Sequence, residues 1–254
     1  LLMPLCRNKS RWLTIGDGFG IDANWLEEKN QKVVASDISY QGLKMAQEEG
    51  YISEYRLENA EDLRIADNSF EYVLCKEAYH HFPRPLLAVY EMIRVSSNGI
   101  VLIEPVDIGI QFPIVVFFKN LIERFSTSFV KKIWKNRFSF EQGGNYVYKV
   151  SEREIEKIAM GMNLPVVAFK GVNDYYDSQM DFHVSKDHLN FKKVKFRIQL
   201  KNILCRLGLV PYELEAFVIF KSMPSTEIIE ALEKQGYKIL ELPGNPYLSS
   251  SSRS

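Results

Sequence analysis

The sequence predicts an α/β protein with helices on both faces of a mostly parallel sheet, and three observations lead there. Strand-like and helix-like segments alternate through residues 12–103. Two strand-like segments, 70–75 and 99–103, are near-continuous apolar runs, as strands covered on both faces must be. A glycine-rich turn joins the first strand to the first helix, at the sheet edge where such folds bind ligands.

The elements follow in order. Trp12 to Ile15 is a short apolar run that ends in glycines and reads as a strand. Residues 22–29 read as a helix, and Lys32 to Ser36 as a second strand ending at Asp37. The next helix covers 39–49, with Leu43, Ala46 and Gln47 spaced three and four apart and Gly50 as its stop. Residues 52–57 read as a third strand and Phe70 to Cys75 as a fourth. A helix from Pro85 to Val95 and a strand from Gly99 to Ile103 complete this half. Parallel strands joined by helices require right-handed crossovers.

After Pro105 the pattern changes. Residues 106–150 are aromatic-rich and basic, and read as a helical cap insertion. Ser151 and Glu154 form a capping box that opens a helix to about Met162. Pro165 to Phe169 reads as a strand, 187–206 as a helix and Glu215 to Phe220 as a strand. A helix from Pro224 to Gln235 and a strand from Tyr237 to Leu242 end the ordered part. The organisation expected is therefore 1–105, 106–150, 151–248 and a disordered, serine-rich tail at 249–254.

Of the 254 residues, 46% are apolar and 25% charged, which excludes disorder as the main state. No run of 18 uncharged apolar residues is present, so no membrane-crossing helix is expected. Three cysteines, Cys6, Cys75 and Cys205, are too few and too scattered for a disulfide framework or a zinc site. No metal is expected, and a reducing, cytoplasmic setting is the default. The zero net charge hides an asymmetry. Residues 1–105 hold 11 basic and 16 acidic side chains, and the rest hold 21 and 16. The basic surplus gathers in 117–137 and 186–206. Solvated helix faces explain such stretches, and so does an anionic partner.

The turn Gly16-Asp17-Gly18-Phe19-Gly20 is the candidate binding loop. Its glycines let backbone approach a ligand with no side chain in the way, and the following helix adds a positive N-terminus. Asp37 lies 17 residues past Gly20, at the end of the second strand, where a carboxylate can accept from both ribose hydroxyls. The dinucleotide fingerprint wants G-x-G-x-x-G, but its third position here falls on Ile21. The G-x-G-x-G spacing favours a smaller nucleoside cofactor. A nicotinamide-dependent oxidoreductase and a catalytically silent binding protein stay open as alternatives.

The segment from Trp12 to Pro105 resembles the class I S-adenosylmethionine-dependent methyltransferases of the bacterial small-molecule type. The loop from Ile15 to Gly20 resembles their first motif, and Asp37 their ribose-binding acid. Glu58-Asn59-Ala60-Glu61-Asp62-Leu63 with Asp67 to Glu71 resembles the adenine-side loop. Lys76-Glu77-Ala78-Tyr79-His80-His81-Phe82 resembles the segment beside the transferable methyl, and Glu91 to Val95 with Ser97 to Pro105 resembles the helix-turn-strand that follows. The resemblance implies a Rossmann-like, mostly parallel seven-stranded sheet and S-adenosylmethionine as cofactor. It implies cofactor contacts from Gly16, Asp17, Gly18, Gly20, Asp37, Ile38, Asn59, Ala60, Glu61 and Lys76. The family has an acid two residues before the first glycine, where this chain has Thr14. The candidate substitute for that charge toward the cofactor ammonium is Asp17, inside the loop.

Methyl transfer is an in-line displacement, so alignment and water exclusion supply much of the rate, with a base only where the acceptor must lose a proton. His80 and Glu77, just past the fourth strand, are the candidate catalytic residues, and Cys75 reads as core. The resemblance implies a small or sugar- or lipid-linked acceptor beneath the segment 106–150. Residues 112–138 mix large apolar side chains with Lys and Arg, so peripheral membrane contact is a second reading of that stretch. Nucleic acid is disfavoured, since no RNA-binding module is legible and the first half is acidic.

Overall fold

The computed structural model describes residues 1–107, 113–126, 128, 140, 145–174 and 189–247. In chain order the elements are β1 (Arg11–Ile15), α1 (Ile21–Glu28), β2 (Lys32–Asp37), α2 (Gln41–Glu48), β3 (Tyr55–Leu57) and β4 (Phe70–Lys76). A single 3-10 turn (Tyr79–His81), α3 (Pro85–Val95), β5 (Ser96–Pro105) and α4 (Pro113–Phe125) follow. The last are α5 (Glu152–Gly161), β6 (Val166–Val172), α6 (Leu189–Arg206), β7 (Leu214–Phe220), α7 (Thr226–Lys234) and β8 (Lys238–Glu241).

The strands form one sheet in the order β3-β2-β1-β4-β5-β7-β6-β8. The pairs β2·β3, β1·β2, β1·β4 and β4·β5 are parallel. Lys221 N donates to Asn98 O, and Gly99 lies against Ile219 and Phe220, so β5 and β7 run in opposite directions. A Cβ on Gly99 would stand 2.4 Å from Ile219 O, which is why this crossing takes glycine. Among the described residues the sheet has eight strands, as many as the segments read one by one, rather than the seven that the resemblance implies, and β8 pairs antiparallel with Val166–Phe169 of β6. Left uncovered, that stretch of β6 would be an exposed edge of apolar residues. β8 ends in Lys238 and Glu241, charges that blunt the new edge.

Burial explains the strands. β1, β2 and β4 show four consecutive buried residues each, as the apolar runs require. β5 extends to both sides of 99–103 because Ser96 and Glu104, though polar, are fully buried within it. Leu13, Val73, Ile100 and Leu102 meet Val89, Met92 and Ile93 of α3 in one apolar core. The Ser151 capping box is formed, with Ser151 Oγ and Glu154 each bonding the other's backbone N–H. α4 falls within the stretch expected to be a helical insertion.

Two compact units divide the chain. Residues 1–104, 138–170 and 216–254 make the first, and 105–137 with 171–215 the second. In the second unit Asn173 Nδ2 donates to Asn202 Oδ1 and Cys205 Sγ, and Lys201 pairs with Glu213.

Candidate active site

β1 ends in the glycine loop. Gly16 has φ +71° and Gly20 has φ +68°, in the left-handed region that favours glycine. A Cβ on Gly16 would lie 2.3 Å from the Ala78 Cβ, so the loop and the segment after β4 approach as only glycine allows. Gly42, in the first turn of α2, is equally constrained, since a Cβ there would stand 2.2 Å from Gly18 O. Sequence reasoning passed over Gly42, because a close backbone approach between distant segments leaves no local pattern.

Asp17 is buried, and its carboxylate closes the loop on itself. It accepts from Thr14 Oγ1 at 2.9 Å, from Asp22 N at 3.3 Å and from Ala23 N at 2.9 Å. It therefore caps α1 from outside the helix, satisfying first-turn N–H groups that Gly20 cannot. Asp37 stands at the carboxyl end of β2. Its Oδ1 accepts Ser39 N at 2.7 Å, and its Oδ2 is 3.5 Å from where a Gly18 Cβ would be. Beside it Ile38 is 75% exposed, an apolar side chain held in water at the edge of the loop. Bare backbone at Gly18, a carboxylate over it and an apolar shelf beside it match the chemistry of an adenosine, with ribose hydroxyls and a flat base.

The segment after β4 is fixed by a carboxylate that sequence reasoning did not single out. Glu104, near the end of β5, is fully buried. Its Oε1 accepts the backbone N–H of Ala78 and of Tyr79, both at 2.9 Å, and its Oε2 faces His80 Nδ1 at 2.7 Å. Glu77 just before has φ +50°, turning the chain from β4 into the 3-10 turn, and its N–H donates to Ile103 O. The ring centroids of His80 and His81 lie 4.0 Å apart with the planes tilted by 42°, and Asn145 donates to His81 O. Cys75 is fully buried, and burial first, with Glu104 second, raises its thiol well above the ordinary range. Cys75 is therefore core, as the apolar strand implied.

Residues 13–103 match a methyltransferase domain family. The chain carries a class I S-adenosylmethionine-dependent methyltransferase domain. Solved structures share the fold at low identity. One is a SAM-dependent methyltransferase from Archaeoglobus fulgidus, with TM-score 0.53, 12% identity, and 86% of this chain and 89% of that chain covered. A second is a chain of the complex between the Haloferax volcanii Trm112 methyltransferase activator and a methyltransferase, with TM-score 0.52, 12% identity and 88% of both chains covered. A third is the YcgJ protein from Bacillus subtilis, with TM-score 0.50, 20% identity, 88% of this chain and 97% of that chain covered. No curated protein matches the chain.

The remaining expected contacts of the methyltransferase spread around the loop. Asn59 is exposed, and its Oδ1 accepts Glu61 N in a turn that leads into the adenine-side segment. Ala60 is buried in the core. The Glu61 carboxylate bonds Arg84 through N at 2.6 Å and Nε at 2.7 Å, so it pins this segment to the start of α3. Arg94 holds the other end, donating to the carbonyls of Leu63 and Ile65 and to Asp67 and Glu91. The Arg94 guanidinium holds the Glu91 carboxyl below its usual range. Lys76 Nζ lies 3.5 Å from Asp22 and 3.9 Å from Glu77. Burial raises the Asp22 carboxyl, and Lys76 opposes it. Asp22 was not among the expected site residues. Yet with Thr14 neutral and Asp17 engaged in capping, Asp22 is the acid in the first turn beyond the loop.

Proposed function

We propose that the methyltransferase acts on a small or sugar- or lipid-linked acceptor through a group that loses a proton on transfer, with His80 as the base. The observation that carries this reading is the 2.7 Å contact between His80 Nδ1 and the buried Glu104. With Glu104 as a carboxylate, which only accepts hydrogen bonds, and His80 as a neutral imidazole, Nδ1 would carry the hydrogen and Nε2 the lone pair. A neutral imidazole fixed in that tautomer takes a proton at Nε2. Its place at the carboxyl edge of β4 is where α/β sheets bind ligands.

When bound, S-adenosylmethionine supplies a methyl group already activated on a sulfonium. Asp37, with Ile38 and Asn59, would hold its nucleoside, and Gly16, Gly18 and Gly20 would let the backbone reach it. Lys76, Asp22 and Glu77 surround the place for its charged amino-acid end, and Glu77 there serves charge balance rather than proton transfer. The chain contributes alignment, exclusion of water and, at His80, proton acceptance.

The test is turnover. Protein incubated with methyl-labelled cofactor and fractionated small-molecule or lipid extract should release S-adenosylhomocysteine and add one methyl group to an oxygen or nitrogen. His80→Ala should abolish that transfer while calorimetric cofactor affinity stays. Transfer that survives His80→Ala unchanged would remove His80 from the chemistry.

A further inference from the structure

The second unit presents apolar side chains to water along two helices. α6 has 18 residues with six basic side chains and no acidic one. At 100° per residue, Val194, Ile198 and Cys205 fall on one side, and these are half-buried or buried. Cys205 Sγ lies 3.3 Å from both Asn173 Nδ2 and Pro211 O, which marks that side as the packed one. Phe196, Leu200 and Ile203, with Leu207 just past the helix end, form a second apolar stripe roughly opposite. All four are exposed, Phe196 and Leu207 by 65% and 67%. Lys192 and Lys193 project on either side of this stripe and are exposed too. One apolar stripe is enough to seat a helix on its own unit, so packing accounts for the first and leaves the second unexplained.

α4 repeats the arrangement by itself. Phe117, Phe118, Leu121 and Phe125 share one face and are exposed, Phe125 by 81%. Arg124 borders that face. Exposed apolar stripes edged with cations are the signature of helices that lie in a lipid interface.

We propose that this unit docks on an anionic lipid surface, with the outer stripe of α6 immersed and Lys192 and Lys193 at the headgroups. The charge selects the occupant. A second copy would bring six more cations against α6, and an RNA strand would leave Leu200, Ile203 and Leu207 with nothing to stack. Acidic headgroups over hydrocarbon satisfy both features at once. The sequence places membrane contact at 112–138, of which 112, 127 and 129–138 lie outside the described residues, and for the basic stretch 186–206 it leaves a solvated helix face and an anionic partner both open. The proposal does not depend on the acceptor and is tested without turnover.

The full chain is floated with vesicles of phosphatidylcholine, alone or containing phosphatidylglycerol. It should partition to the anionic vesicles only, and less at high salt. Lys192→Gln with Lys193→Gln should weaken partition about thirtyfold, and the paired Arg substitutions should restore it. Leu200→Ser with Ile203→Ser should weaken it at least tenfold. Circular dichroism and calorimetric cofactor affinity, read in the first unit, should be unchanged in all variants. Failure to float on either vesicle overturns the proposal, as does partition that neither pair alters. Binding of single-stranded RNA or self-association that depends on the same residues, without vesicle binding, overturns it in favour of that partner.

Discussion

Replacing Glu104 by Gln tests the arrangement around His80 at a single atom. Removing the side chain altogether, as in Glu104→Ala, would orphan three donors: the N–H groups of Ala78 and Tyr79 and the His80 ring. At about 1–3 kcal/mol per buried unsatisfied group this costs roughly 3–9 kcal/mol, comparable with the whole stability of a domain. Gln avoids that. Its amide oxygen must face the two backbone N–H groups, because the reverse orientation would set two donors against a donor. The amide NH2 then points at His80 Nδ1, which has to accept, so the hydrogen moves to Nε2. The stability cost is the difference between charged and neutral hydrogen bonds, about 1–2 kcal/mol, and the protein stays folded. Long-range nitrogen–proton correlation spectra of histidine-labelled protein read the tautomer directly. They should show hydrogen on Nδ1 in the natural protein and on Nε2 in the variant. Methyl transfer should fall by about 10²–10⁴, the usual contribution of a general base, with cofactor affinity unchanged. An identical tautomer in both proteins would refute the assignment of Glu104 as the residue that orients His80, whatever the activity did.

Other outcomes follow from the loop and the cofactor edge. Asp37→Ala should weaken S-adenosylmethionine binding by about 1.5–3 kcal/mol in calorimetry, the value of hydrogen bonds to a charged acceptor, and unchanged affinity would remove Asp37 from the ribose. Gly42→Ala ordinarily stabilises a helix by up to about 1 kcal/mol, but here the new Cβ meets Gly18 O at 2.2 Å. It should therefore lower the melting temperature and reduce cofactor affinity at least tenfold, and a rise in both would show the contact to be unimportant. The raised Asp22 carboxyl binds its proton more readily folded than unfolded, so it costs stability as pH rises through that interval. Asp22→Asn should flatten this part of the pH–stability curve in urea titrations, and an unchanged slope would remove Asp22 as its source.

What the sequence made legible was local. The Ser151 capping box, the glycine loop and the strand ending at Asp37 all announce themselves within a few residues, and each is found where the pattern puts it. The residues it did not yield act across distance. Glu104 is a lone acid in an apolar strand, and its partners lie 24 to 26 residues earlier in the chain. The one available signal was its very presence in a run meant for burial, because a buried carboxylate must be bonded. Arg94, in the last turn of α3, ties down a segment 27 to 31 residues away. The Glu61 carboxylate bonds Arg84, which no spacing rule connects to it. Exposure of the α6 stripe was hidden for another reason, since a helix apolar on two opposite sides shows no single periodic face.

The capping role of Asp17 decides between the two cofactor classes that a glycine loop permits. A dinucleotide needs the first-turn N–H groups of the helix for its pyrophosphate, with the helix dipole adding attraction. In this loop two of those donors are spent. Asp22 N and Ala23 N already bond the Asp17 carboxylate, which also places a negative charge where the pyrophosphate would sit. The third glycine of the longer fingerprint is replaced by Ile21, which is 67% exposed. With Asp22 next in the turn, the end of the loop is anionic, and it favours a cofactor that brings positive charge. A sulfonium and an ammonium on one small molecule meet that condition, and two phosphates do not. The neutral Thr14 is part of the same arrangement: its hydroxyl donates to Asp17 and moves the acid from the strand into the loop, where it both caps the helix and excludes phosphate.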